Sequence, residues 1–332
     1  MPDVPLLTIG IPHLDRTEHL VYAIESALAQ TVPVHIIVAD QGKTEKTRKF
    51  MARYCKHPHI QHELTEADCL WANWESAARA CDTKYFAWLQ DDDEIAPIYA
   101  DRVIQAFEAF PDALHFQASC YVTPDRVHIV RRGWNGPQVG VNKRLIPEVW
   151  FGELCVAPMY IMSWALSPGV AFRCGEEFNA ALSNMPNNCD LFNERIILAE
   201  MGSRGRWVAD PMTAGYWYHH GLNESYTQNA TPGVITAQTK VLVDCLDNIC
   251  DRTPDWDKAL TSWCRMQSPQ EVVSWLNGCS DDKGNPTGHP IAISRHCDAI
   301  QAAMVDSLQG RVEWGGVKVP APVEDELVLT FE

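Results

Sequence analysis

Four carboxyls stand side by side at Asp91-Asp92-Asp93-Glu94. Crowded like charges repel and raise one another's pKa, so such a run is costly unless a positive group neutralises it. A divalent cation does this: Mg2+ and Mn2+ take carboxylate and phosphate oxygens, which suits an acidic run to a metal bridging to a diphosphate. The alternative is a polar loop that caps the next helix. Position favours the chemical reading, because the run follows directly on the apolar, strand-like stretch Tyr85-Phe86-Ala87-Trp88-Leu89 and Gln90.

The elements around it read as alternating strands and helices. Residues 6–12 form a β-prone run stopping at Pro12, and Asp15 followed by Glu18 reads as the N-cap and capping box of a helix carrying Leu20, Ile24 and Leu28. A second strand over 34–39 ends at Asp40-Gln41-Gly42. Helices are expected over 44–54 and 73–81, with a short strand over 59–64 between them. Alternation of this kind predicts an α/β fold with a mostly parallel central sheet flanked by helices, binding ligands at the carboxyl ends of its strands. Asp40 and the acidic run both fall at such ends.

Further along, a helix is expected over 97–110 and strands over 113–122 and 126–132. A Gly/Pro/Asn-rich loop follows over 133–142, then a strand and turn over 162–172 interrupted by Pro168-Gly169, and a helix over 189–201 closed by Gly202. Beyond Pro232 helical stretches alternate with Pro and Gly. The expected division is a domain over 1–231, with a nucleotide-binding half (1–96) and an acceptor half (97–231), and a helical C-terminal extension over 232–332.

The chain has 332 residues, 46% hydrophobic and 21% charged, as expected of a folded globular protein. A formal net charge of −16 argues against a nucleic-acid partner, since polyanions are bound by neutralising phosphates with Lys and Arg. Basic clusters at Lys43 to Lys49, Arg131-Arg132 and Lys143-Arg144 read first as solvated surface charge. The twelve cysteines include no C-x-x-C pair and the chain opens without a charged-then-apolar leader, so reduced, mostly buried thiols in a cytoplasmic protein are expected. No apolar stretch is long enough to cross a bilayer, and peripheral contact with a membrane stays open.

The order of motifs resembles the family 2 glycosyltransferases, inverting enzymes of the GT-A fold. The resemblance rests on Ile9-Gly10-Ile11-Pro12, Ser26-Ala27-Leu28-Ala29-Gln30-Thr31, Ile36-Ile37-Val38-Ala39-Asp40-Gln41-Gly42 and Trp88-Leu89-Gln90-Asp91-Asp92-Asp93, and covers residues 5–225. It implies a nucleotide-sugar donor, UDP-linked by preference, a Mn2+ or Mg2+ cofactor, and a glycan or other hydroxyl acceptor. Pro12 would lie under the base and Asp40 would accept a hydrogen bond from its ring N–H, with Asn73 also on the donor side. Asp92 would be the principal metal ligand, Asp91 would stand near the ribose or the metal, and Asp93 is the next candidate ligand. Two positions depart from the family pattern: Gln90 replaces the first acid of the usual D-x-D, and Ala72 stands where an Arg is common.

Inverting transfer needs a carboxylate to take the acceptor's proton. By resemblance that base is Asp190, behind Gly175-Glu176-Glu177-Phe178, with Glu176 and Glu177 as alternatives. An Asp in a first helical turn also has a plain dipole role. Trp217-Tyr218-His219-His220-Gly221-Leu222-Asn223-Glu224-Ser225 resembles the family's H-x-x-N-x-S, which makes His220 a candidate metal or diphosphate ligand and His219 the second choice. Trp134, Trp150 and Trp164 fall where acceptor loops are expected, although core packing is the commoner fate of tryptophan. Three rival functions remain. A metal-dependent nucleotidyltransferase would need a Gly-rich phosphate loop, which Pro12-His13-Leu14-Asp15 is not. A non-catalytic nucleotide- or sugar-binding module of the same fold is kept open by Gln90, and transfer to a DNA base finds little support in the charge.

Overall fold

Strand β1 (Leu7–His13) is buried at every position because it lies inside the sheet, with β2 (Val34–Asp40) and β4 (Tyr85–Trp88) parallel on its two sides. The computed structural model describes residues 4–123, 150–153, 168–187, 191–218, 232–279 and 289–311. Beyond β2 lies β3 (Ile60–Leu64), also parallel. Past β4 the sheet becomes mixed: β8 (Val170–Arg173) is antiparallel to β4 and to β6 (Ala113–Thr123), and β6 runs parallel to β9 (Arg206–Tyr218). β5 (Glu94–Ile95) and β7 (Trp150–Glu153) both pair antiparallel with β9. The order β3-β2-β1-β4-β8-β6-β9-β5 agrees with the α/β class expected, parallel from β3 to β4.

Side chains alternate across β4 and sort into two apolar layers. Tyr85, Ala87 and Leu89 join α1 (Thr17–Leu28), α2 (Glu45–Met51) and α4 (Tyr99–Ala109) on one face. Phe86 and Trp88 join α3 (Leu70–Arg79), α5 (Glu176–Ser183) and α6 (Asn193–Gly202) on the other. The Trp88 indole packs against Trp71, Trp74, Phe86 and Phe172 and donates to the Trp74 carbonyl at 2.9 Å. Truncating it to alanine should cost about 3–5 kcal/mol, the usual range for a large core aromatic.

The C-terminal helices α7 (Pro232–Asp251), α8 (Trp256–Met266), α9 (Pro269–Asn277), α10 (Pro290–Ile293) and α11 (Cys297–Leu308) follow. They bring Leu242, Leu246, Leu260 and Met304 into the same apolar cluster as Trp88. Among the described residues no helix is long and apolar enough to cross a membrane.

Three helix starts differ from expectation. Asp15 does not cap α1: Arg16 holds the N-cap position without a side-chain cap bond, its guanidinium being drawn to Asp91 and Asp92 instead. α3 begins at Leu70 rather than 73, because the Cys69 thiol serves as cap acceptor for the Ala72 N–H at 3.4 Å. α6 begins at Asn193 rather than at 189. The expected strand over 126–132 and loop over 133–142 lie outside the described residues, while Pro168-Gly169 does form the turn into β8.

Candidate functional site

The parallel half brings the carboxyl ends of β1, β2 and β4 to one edge. His13 is the register partner of Asp40 at the ends of β1 and β2, and the Leu89 N–H to Gly10 carbonyl bond (2.9 Å) closes the β1–β4 ladder just before the acidic run. Pro12 fits here without penalty. Its N–H would face the β4 side, where the ladder has already ended, so nothing is lost. The tight β2–α2 turn presses on the β1–α1 loop, since a Cβ at Gly42 would come within 1.6 Å of the Leu14 carbonyl oxygen.

Asp91, Asp92 and Asp93 are all buried, and each is compensated differently. Asp91 takes the Arg16 guanidinium at 2.5 Å on one oxygen and His13 Nδ1 at 2.7 Å on the other. Arg16 reaches Asp92 with its second nitrogen at 2.8 Å. Asp93 accepts the backbone N–H of Tyr218, the last residue of β9, at 3.0 Å. The turn is closed by the Asp93 N–H on the Gln90 carbonyl (3.1 Å), and Glu94 continues into β5 against Tyr216. Gly215 permits that pairing, because a Cβ there would stand 2.0 Å from the Glu94 carbonyl oxygen.

The Ala-Gln-Thr motif has a structural task at this edge. Gln30 donates to the Ala96 carbonyl and accepts from the Ala100 N–H, both at 2.9 Å, and the Thr31 N–H bonds Pro97 at 2.8 Å. The end of α1 is thereby tied to the chain that leaves the acidic run.

Asp40 is fully buried, with one oxygen on the Lys43 N–H (3.0 Å) and the other on His62 Nε2 (3.1 Å). Burial works to raise its pKa, but the bonds from His62 and the Lys43 N–H, with the nearby imidazoles, outweigh it and hold the carboxyl below its ordinary value. Asp40 is therefore a carboxylate that can accept from a further N–H. Asn73 is buried and works as a bracket: its Oδ1 takes the Thr65 hydroxyl at 3.0 Å and its Nδ2 donates to the His13 carbonyl at 3.3 Å. It fixes the end of β1 from behind.

The structure thus brings Pro12, Asp40, Asn73, Asp91, Asp92 and Asp93 to one edge. Asp190, His219 and His220 lie outside the described residues, as do Trp134 and Trp164, while Trp150 opens β7. Residues 219 and 220 follow in the chain on Tyr218, whose N–H is on Asp93. Glu176 and Glu177 are exposed at the start of α5, just past β8, whose Arg173 pairs with Tyr85 at the beginning of β4. That is the sheet edge opposite the acidic run, which removes them as candidate bases.

Three residues at this edge were not singled out from the sequence. His13 bridges Asp91 and Thr47 (3.2 Å), Arg16 forks across two aspartates, and Glu194 in the first turn of α6 accepts from Gln90 Nε2 at 3.2 Å. The signal for the first two is adjacency: β1 and β4 are neighbours, so the loop after one must face the loop after the other. Among the described residues no group of three or more His, Cys, Asp or Glu side chains is arranged to hold a metal ion. The donor set there is limited to carboxylates of the run, with a guanidinium standing between two of them.

Residues 8–135 match the family described as Glycosyl transferase family 2. Over 187 residues the chain is 25% identical to chondroitin synthase from Escherichia coli, a match covering 54% of this chain and 25% of that protein. The chain thus spans about a quarter of the length of this curated relative. Among solved structures, S. aureus TarS aligns with a TM-score of 0.58 at 12% identity, over 89% of this chain and 50% of that one. TarS 1–349 aligns with a TM-score of 0.56 at 12% identity, over 98% and 96% of the two chains. Its complex with UDP-GlcNAc aligns with a TM-score of 0.51 at 11% identity, over 91% and 90%. Strand-end motifs, family match and fold agree: residues 8–135 are similar to glycosyl transferase family 2, and the chain has a fold of the GT-A type.

Proposed function

We propose that this chain moves a glycosyl group from a nucleotide sugar, UDP-linked by preference, to a hydroxyl acceptor with inversion at the anomeric carbon. The observation that carries this reading is the convergence of Asp40, His13 and the buried acidic run at one sheet edge within the family-matched segment. The donor preference is supported by relatives of the same fold solved with UDP-GlcNAc and with UDP. Asp40, held ionised, would accept the ring N–H of the base, and Pro12 would lie beneath it.

The acceptor oxygen attacks the anomeric carbon as the bond to the diphosphate breaks; the diphosphate leaves with the electron pair, and a carboxylate takes the hydroxyl proton. Asp190 is the proposed base. Glu194 is a second reading for that role, favoured by its bond to Gln90 beside the acidic run. Where Mn2+ or Mg2+ is bound, Asp92, Asp93 and His220 would be its protein ligands, and the cation would stabilise charge on the departing diphosphate. Arg16 holds one oxygen of Asp92 and would stand as a second positive group beside the phosphates.

A thermal-shift panel of UDP-, GDP-, TDP- and CMP-sugars with Mn2+, followed by product analysis, tests this, because a ligand of the native state raises its melting temperature. UDP-sugars should give the largest shift and be slowly hydrolysed without acceptor. A panel in which no sugar nucleotide shifts the melting curve or is consumed would overturn the proposal.

A further inference from the structure

Cys81 and Cys174, 93 positions apart, place their sulfurs 3.6 Å from each other at the sheet edge opposite the acidic run. Cys81 follows Ala80, the C-cap of α3, and Cys174 follows β8, where its N–H bonds the Lys84 carbonyl at 2.9 Å. The two segments are thus fixed by the backbone before the thiols meet. A disulfide needs sulfurs about 2.05 Å apart, so closure asks for an approach of roughly 1.5 Å, within reach of small side-chain and backbone adjustment. Both side chains are half-buried, as a small oxidant requires. From these positions we propose that Cys81 and Cys174 are an oxidisable dithiol, a modification site that a hydroperoxide closes to an intramolecular disulfide.

The local chemistry supports an order of events. The hydrogen bond with Cys174 pulls the Cys81 thiol down to about 6, outweighing burial, with help from Thr8 and from Thr83, whose hydroxyl is 3.4 Å from the sulfur. The same contact and burial push Cys174 up, so it stays protonated. Cys81 is then the attacking thiolate, since thiolate and not thiol is nucleophilic. Its sulfur attacks the terminal peroxide oxygen: an S–O bond forms, the O–O bond breaks, and hydroxide leaves as water after protonation. Cys174 next attacks the Cys81 sulfenic acid; the S–S bond forms, the S–O bond breaks, and the Cys174 proton leaves with the hydroxide as a second water. Two thiols and one hydrogen peroxide give one disulfide and two waters.

The crosslink would lie on the seam of the sheet. Its neighbours Tyr85 and Arg173 are register partners in the three-pair ladder joining the parallel half to the mixed half. Closing a loop this long restricts the unfolded chain, so the oxidised protein should melt higher, by roughly 5 °C or more. The inference is independent of the sugar-transfer reading.

The test is hydrogen peroxide treatment of the folded full chain, followed by alkylation, intact mass and peptide mapping. Expected are a loss of two hydrogens, a peptide pair joined through Cys81 and Cys174, a raised melting temperature, and reversal by dithiothreitol. In Cys174→Ser, Cys81 should instead be trapped as a sulfenic acid by dimedone. The proposal is overturned if both cysteines are alkylated after oxidation while exposed Cys55 is consumed, or if Cys81 is recovered as sulfinic acid with Cys174 still a thiol.

Discussion

Arg16 and Asp92 are bonded at 2.8 Å across 76 positions of sequence, and the same guanidinium holds Asp91. The acidic run is therefore compensated from within the chain before any ligand arrives. A buried carboxylate without a partner is unstable, and Arg16 supplies the charge from the loop after the neighbouring strand. Substrate and cation would inherit a site whose cost of assembly is already largely offset.

Arg16→Ala tests that arrangement. The variant leaves Asp91 with His13 and deprives Asp92 of its guanidinium, so the ligand-free protein should lose about 1–2 kcal/mol, reduced from a fully buried pair because the Arg16 side chain is 31% exposed. Added Mn2+ should raise the melting temperature of the variant more than that of the parent, since the cation replaces the missing charge. Identical Mn2+ shifts in the two proteins would show that Arg16 and the metal do not share Asp92.

Metal removal is a separate test. Binding of UDP-sugar measured by calorimetry should weaken by about tenfold or more with EDTA, in proportion to the charge the cation brings to the diphosphate. Asp92→Asn should bind donor at the EDTA level whether or not Mn2+ is present. Equal affinity of the parent protein with and without EDTA would remove the cation from donor binding.

What could be read in the sequence, and what could not, follows from the range of the forces involved. Strands β1, β2 and β4 and the positions of Asp40 and the acidic run were legible, because an all-apolar stretch ending in polar residues is a local signal. The sheet order was not, and with it went the partnership of Arg16 with Asp91 and Asp92, which exists only because β1 and β4 are neighbours. The bracket that Asn73 forms between Thr65 and the His13 carbonyl was equally out of reach, since it joins elements distant in sequence. Capping misled where an unusual residue did the capping, as at Cys69, or where a plausible cap was passed over, as at Asp15.

The proton acceptor of the transfer step can be assigned by two variants. Asp190→Asn should reduce kcat by about 100- to 10,000-fold, the usual contribution of general-base catalysis, while donor affinity stays within about twofold. Glu194→Gln keeps the hydrogen bond to Gln90 in altered form and should lower kcat by less than tenfold. The reverse pattern would move the base from residue 190 to residue 194.

A fourth prediction concerns acid stability and rests on a residue away from the site. His115 on β6 is fully buried between Phe172 and Trp207, and neither ring nitrogen has a hydrogen-bond partner among the described residues. Burial lowers its pKa from 6.5 to about 3, so it is neutral in the fold through the mildly acidic range. Between these values the unfolded chain binds a proton that the folded chain does not, and stability must fall as pH drops below 6.5. The slope attributable to this one group approaches about 1.4 kcal/mol per pH unit until the folded pKa is reached. His115→Phe keeps an aromatic ring against Trp207 and removes the titration. Urea denaturation from pH 7 to pH 4 should give a shallower loss of stability in the variant, and parallel curves for the two proteins would mean that the imidazole is protonated in the folded state after all.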